Sequence, residues 1–290
     1  MAKYRLLRDA LSCYDNIVFH EAPDTANGVL ALAHDPSYIA AVSNGTLSPA
    51  EQKVIGFPWS SQMVERSRRS TGATIAACRA ALKYGTAANL AGGTHHAGRA
   101  HGEGFCVFND SAIAARLMQA ERRVRRVAIV DLDVHQGNGT AAILRNDESI
   151  FTLSMHGASN YPFSKQQSDL DVALPDGTGD DFYLAMLDDA LATMFGRIDP
   201  DLIIYLSGAD PHEGDRLGRL RLTTAGMAAR DTMVFSAARY RGIPVAVTMG
   251  GGYGKNIADT VAIHLQTVMI ACGFISASAD AAFGSSSVPD

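Results

Sequence analysis

The chain has 290 residues, 47% hydrophobic and 19% charged, which is enough to bury a full core and too apolar for a disordered chain. Its net charge of -5 gives no electrostatic reason to expect nucleic-acid binding, and no apolar run reaches the roughly 18 to 20 residues that cross a bilayer. The N-terminal stretch MAKYRLLRDALSCYDNIVF has neither the apolar core nor the cleavage site of a secretory signal, which points to the cytoplasm. Cys13, Cys78, Cys106 and Cys272 fall in no CxxC spacing, as expected of reduced structural thiols.

In chain order, a helical pattern covers about 60–84, where Arg66, Arg68 and Arg69 read as a solvated face. An apolar run at 89–92 follows, then a helix at about 110–122 and apolar runs at 127–132 and 150–155. A helix at about 181–196, a run at 202–207, a helix at about 223–240, a run at 245–249 and a helix at about 257–271 complete the pattern. Short apolar runs of this kind are buried parallel strands. Their alternation with helices predicts an α/β fold, a single-domain, doubly wound, mainly parallel sheet flanked by helices. No repeat or linker divides the chain. The domain is expected to span 1–277, and the tail 278–290, ending GSSSVPD, to be disordered.

Four of the strands run directly into polar clusters: GGTHH, DLDVHQGNG, SGADPHEGD and GGGYG. In open α/β sheets, ligands bind outside the carboxyl ends of the strands, so the clusters predict one active site. Asp131, Asp133 and His135 alternate at a strand end and project to one side if the backbone stays extended. A carboxylate and an imidazole two residues apart can grip one divalent metal. A catalytic zinc takes three protein ligands and keeps a position open, and Asp210, after LIIYLSG, is the best candidate for the third. His212 and Asp215 lie further along that loop.

His95 and His96 are adjacent, so both face one site only where the backbone turns, which Gly92, Gly93 and Gly98 permit. A histidine beside a metal-activated water can serve as general base. Gly250, Gly251 and Gly252 lead from a strand to Tyr253. This run lacks the order of a phosphate loop, whereas a protonated tyrosine can donate to the oxyanion of a tetrahedral intermediate.

Together these residues resemble the histone deacetylase family, of the arginase/deacetylase superfold. The matching stretches are GGTHHA (92–97), GEGFCVFND (102–110), DLDVHQGNGT (131–140), SMH (154–156), GADPHEGDRLG (208–218) and GGGY (250–253), with AHDPSYIAAV (33–42) as an early element. The resemblance implies Asp133, His135 and Asp210 as zinc ligands. It makes His96 the general base, His95 its charge-stabilising neighbour oriented by Asp131, and Tyr253 the carbonyl-polarising tyrosine. Gly104 would receive the substrate amide on its backbone carbonyl, with Phe105 and Tyr161 as tunnel walls. Gly251 counts among the substrate-binding positions. The family also binds potassium near the zinc, at positions matched by Asp131 and Ser154. Iron(II) suits the same oxygen and nitrogen donors.

Gln136 stands where many members carry a further histidine, and Asn138 where some carry aspartate. HQGNG with EGDRLG downstream resembles the class IV branch of bacterial type. Asparagine orients His96 without adding charge, so the pKa of His96 should be lower than beside an aspartate. The family usually begins with an extra strand and a histidine- and proline-containing segment before the element matching residues 3–7. This chain starts after them, so an edge strand or part of the rim is expected to be missing or replaced.

The expected reaction is hydrolysis of an amide on an acylated amine. An acyl-lysine peptide, a polyamine and a small metabolite all present that bond, and the class IV resemblance leans toward long acyl groups. An arginase-like site with two manganese ions would need carboxylates where Gly137 and His212 stand. A non-catalytic acyl-amine sensor would not need Tyr253.

Overall fold

The apolar runs are short and continuous. VAIVD and LIIYL present aliphatic or aromatic side chains to both faces and are stable only as inner strands covered on both sides. The computed structural model describes residues 2–273 and places them so. Four helices lead in: α1 (Ala2–Leu11), α2 (Asn27–Leu30), α3 (Pro36–Asn44) and α4 (Pro49–Ile55). The alternating part follows as α5 (Ser61–Tyr84), β1 (Thr86–Asn89), α6 (Asp110–Ala120), β2 (Val127–Asp131), α7 (Asn138–Leu144), β3 (Ile150–Gly157) and β4 (Leu170–Leu174). It ends with α8 (Asp180–Arg197), β5 (Leu202–Leu206), α9 (Thr224–Tyr240), β6 (Val245–Thr248) and α10 (Ile257–Cys272). No helix among the described residues is long and apolar enough to cross a membrane. The tail expected at 278–290 lies outside the described residues.

The six strands form one sheet in the order β1-β6-β5-β2-β3-β4, and all are parallel. From β2 the chain moves outward to β3 and β4, then returns to the other side of β2 through β5, β6 and β1's flank. The strand order reverses between β2 and β5, and the four strands that carry polar clusters are neighbours around that switch point. The pleat divides the core. Ala128 and Val130 face the apolar layer that holds α1, α8, α9 and α10. Val127 and Ile129 face the layer under α3, α5 and α6.

Three features depart from the sequence reading. The first strand is Thr86–Asn89 rather than 89–92, because the chain already turns at Asn89, whose side chain accepts from the Ala91 amide at 3.0 Å. β4 was not expected. Its LDVAL alternates half-buried and exposed positions before the buried Leu174, as an edge strand does, and its longest apolar run, Val172–Leu174, is only three residues. The first 60 residues, beyond the early element, gave no helical signal strong enough to place α1–α4.

Candidate metal centre and active site

β2 ends at Asp131, and DLDVHQG turns over the sheet edge rather than continuing extended. The expected projection of three residues to one side is thereby split. Asp133 and His135 meet Asp210 from the end of β5, with one donor atom of each within 4.8 Å of the others. Asp131 turns instead to His95. His135 Nδ1 lies 2.9 Å from Asp133 Oδ1 and 3.2 Å from Asp210 Oδ2.

The surroundings fit a divalent cation. Both carboxylates are buried, and Asp210 Oδ2 receives no hydrogen bond. Burial and then the charge of Asp133 push Asp210 up to about 6. A cation among the three donors relieves both the orphaned oxygen and the repulsion. Glycines make the room: a Cβ at Gly208 would lie 2.4 Å from Asp133 Oδ2, and one at Gly251 would lie 1.9 Å from Asp210 Oδ2. The Gly251 amide donates to Asp133 Oδ2 at 2.7 Å. Gly251 lines the cavity and also packs against both carboxylates.

The histidine pair hangs on the loop after β1. Gly92 and Gly93 take φ of 76° and 72°, a turn that brings both rings inward. Asp110, buried at the start of α6, accepts from the Gly93 amide at 3.0 Å and the Thr94 amide at 2.8 Å and fixes that loop. His95 Nδ1 is 2.6 Å from Asp131 Oδ2, and His95 Nε2 is 3.1 Å from His96 Nε2. His96 Nδ1 is 2.7 Å from Asn138 Oδ1 at the first turn of α7. The two rings sit differently. Burial disfavours charge on both, but the carboxylates of Asp131 and Asp133 outweigh it at His95 and raise it to about 9. At His96, burial and the neighbouring His95 push the pKa well below the usual value. The two adjacent imidazoles are therefore driven apart in basicity, His95 upward and His96 downward.

These groups open into one cavity of about 740 Å³, which Gly104, Phe105, Tyr161 and Tyr253 also line. The His96 and Tyr161 rings meet edge to face at 4.9 Å, and Phe105 and Tyr253 lie 5.9 Å apart. A Cβ at Gly104 would lie 2.6 Å from His96 Cδ2. The Tyr253 amide donates to Asp215 Oδ2 at 2.6 Å, so Asp215 anchors the end of the glycine run. His212 turns away and accepts from the Gly214 amide at 3.1 Å. Asp131 and Ser154 are register partners on β2 and β3.

Several residues under the site gave no signal in the sequence. Lys3 on α1 reaches beneath the glycine run and donates to the Gly250 and Gly252 carbonyls at 3.1 and 3.4 Å. Burial lowers its pKa. A lone lysine in an N-terminal helix reads as surface, and only the packing of α1 on α10 carries it inward. Arg230, fully buried on α9, donates to the carbonyls of Leu132 (3.3 Å) and Gly208 (2.7 Å) and ties together the ends of β2 and β5. Asp231 neutralises it at 2.9 Å and also accepts from Tyr205 and Thr267. Gln136, which the sequence did single out, donates to the Gln166 carbonyl and to Asp171, and so pins the segment that carries Tyr161.

A parallel sheet with this cluster at its switch point defines a protein of the arginase/deacetylase fold. Residues 2–269 match the histone deacetylase domain, and the chain belongs to the histone deacetylase family, whose members are deacetylases and related amidohydrolases. It is 45% identical over 269 residues to an uncharacterised protein of Picosynechococcus sp., covering 91% of this chain and 89% of that one. It is 37% identical over 204 residues to histone deacetylase 2 of Arabidopsis thaliana, covering 69% of this chain but 53% of the plant protein. A crystal structure of a histone deacetylase homologue complexed with SAHA shares the fold at a TM-score of 0.80 and 23% identity, over 93% of this chain and 77% of the other.

Proposed function

We propose that the chain is a zinc-dependent deacylase that hydrolyses the amide of an acylated amine. The observation that carries this is the convergence, in one cavity, of a three-donor cluster with two adjacent imidazoles, one backed by Asp131 and the other by Asn138. Asp133, His135 and Asp210 hold the metal, and iron(II) fits the same donors. Zinc bound there supplies a Lewis acid that polarises the acyl carbonyl and acidifies water.

The residues do the rest. Neutral His96 takes a proton from the attacking water as the water oxygen bonds to the acyl carbon. Tyr253 donates its phenolic hydrogen to the carbonyl oxygen as charge develops there. Charged His95, held by Asp131, stabilises that negative charge. The C–N bond then breaks, and the proton on His96 passes to the leaving nitrogen, either from His96 or by way of His95. A carboxylate and a free amine result. The Gly104 carbonyl receives the substrate N–H, Phe105 and Tyr161 flank the alkyl stem, and Asn138 orients His96. Potassium is placed beside Asp131 and Ser154. We assign the chain to the class IV type and residues 1–277 to one catalytic domain.

The cavity walls favour an acyl-lysine over a polyamine. Arg216 and Arg219 stand at the cavity among Phe163 and Leu217, which suits a single neutral acylated stem better than a polycation. A panel of acetyl- to myristoyl-lysine peptides and acetylpolyamines, run with measured metal content, tests the reading. Expected are one equivalent of zinc and amine release from acyl-lysine. Folded, zinc-loaded protein that releases no amine from any member of the panel would overturn it.

A further inference from the structure

Glu103 precedes Gly104 at the cavity and has no part in the mechanism above. Its carboxylate accepts a hydrogen bond from Asn138 Nδ2. Asn138 Oδ1 in turn lies 2.7 Å from His96 Nδ1. A chain of contacts therefore runs from Glu103 through Asn138 and His96 to His95 and Asp131.

We propose that Glu103 is a positioning residue that fixes which nitrogen of His96 is free to act as base; the inference deepens the functional reading above and rests on it. An asparagine amide can turn end for end without changing shape, so only its partners decide its orientation. A carboxylate can only accept. Glu103 therefore holds Nδ2 toward itself and leaves Oδ1 facing His96. That oxygen also only accepts, so His96 Nδ1 must carry the hydrogen and His96 Nε2 keeps its lone pair. At the other end Asp131, which also only accepts, fixes a hydrogen on His95 Nδ1 in the same way. Two carboxylates at the ends thus place a hydrogen on the Nδ1 of each ring.

An aspartate in place of Asn138 would need no such help, since both its oxygens accept. The amide keeps His96 free of a directly attached negative charge, and it needs a second acceptor behind it to hold its orientation. Without Glu103 the amide can turn Nδ2 toward His96, which favours hydrogen on Nε2 and leaves the lone pair on the side away from the cavity.

The test uses zinc-loaded full-length protein and four variants: Glu103→Ala, Glu103→Gln, Asn138→Asp, and Glu103→Gln with Asn138→Asp. In Glu103→Ala, kcat on an acyl-lysine peptide should fall about tenfold to a hundredfold, the size of a hydrogen bond to a charged group. KM and zinc content should stay within about twofold of wild type. Glu103→Gln keeps one acceptor oxygen and should recover part of the loss. Asn138→Asp alone sets two carboxylates in contact and should lose activity, while the double variant should regain much of it, a coupling that a merely structural role would not produce. Nitrogen-15 histidine spectra read the tautomer without turnover: His96 should be protonated on Nδ1 in wild type and lose that preference in Glu103→Ala. An unchanged tautomer, additive effects in the double variant, or a loss of kcat that only tracks lost zinc would each overturn the proposal. A wild-type protein that turns over no acyl amine would instead refute the functional reading, and the nitrogen spectra would still decide the role of Glu103.

Discussion

Gly251 offers a sharp test of the metal site, because adding one methyl group there crowds both ligand carboxylates and Asp210 most. Gly250 and Gly252 take φ of 61° and 132°, but Gly251 is not among the glycines with positive φ. Gly251→Ala therefore strains no backbone angle. The new Cβ would lie 1.9 Å from Asp210 Oδ2 and 2.7 Å from Asp133 Oδ2, where real Cβ contacts essentially never come under 3.0 Å. Asp210 Oδ2 must retreat by about 1.1 Å, several times the roughly 0.2 Å by which ligand distances vary in a metal site. If the loop yields instead, it carries Tyr253 away with it. Either response should weaken zinc binding more than about a hundredfold, beyond the 10- to 100-fold typical of changes one step behind a ligand. Metal analysis after gel filtration, chelator competition, and melting with and without added zinc make the assay. The zinc-free protein should melt close to wild type, and the rise in Tm on adding zinc should shrink. Wild-type zinc affinity with unchanged kcat would show that Asp210 Oδ2 holds no ligand position.

Three further outcomes follow from the geometry. His96→Ala should keep its zinc and lose about 10²- to 10⁴-fold in kcat; a zinc-loaded variant with wild-type kcat would remove His96 from the reaction. Tyr253→Phe deletes one oxyanion donor and should cost about 10²- to 10³-fold in kcat on an unactivated amide and less on a fluorinated acyl group; equal losses on both would assign the hydroxyl to positioning. His34, whose Nε2 accepts the Asn109 amide at 2.8 Å, and His156 are both held down at about 4 by burial. The unfolded chain, with histidines near 6.5, binds protons between those values that the fold does not. Each residue should therefore withdraw roughly 1.4 kcal/mol of stability per pH unit as pH falls from about 6.5 to 4. Urea unfolding of zinc-free protein checks this, and His34→Leu should flatten the dependence by one proton's worth; an unchanged slope would refute the account.

Much of the site was legible because its chemistry is local. Asp133, His135, Asp210, the histidine pair and Tyr253 each follow an apolar run within a few residues, and a parallel sheet delivers the ends of such runs to one edge whatever the helices do. The alternation of runs and helices was enough for a parallel α/β sheet, and five of the six strands lie at or within a few residues of their expected places. β4 escaped because an edge strand needs only one apolar face, and α1–α4 because short helices form through packing more than through their own propensity.

Tertiary structure decided what depends on distance across the chain. Period two put Asp131 with Asp133 and His135, but the end of β2 splits them and gives Asp131 to His95. Lys3 and Arg230 carry no local mark of function, and the stretch GEGFCVFND marks Glu103 and Asp110 without showing their partners, since a charged side chain on a helix or loop reads as solvated until a partner far along the chain encloses it. Their roles arise from partners 16 to 249 residues away. Sequence fixes which side chains can ligate, donate or accept; only the folded chain's burial and distances decide which carboxylate is left without a donor, which imidazole keeps its proton, and which way an amide faces.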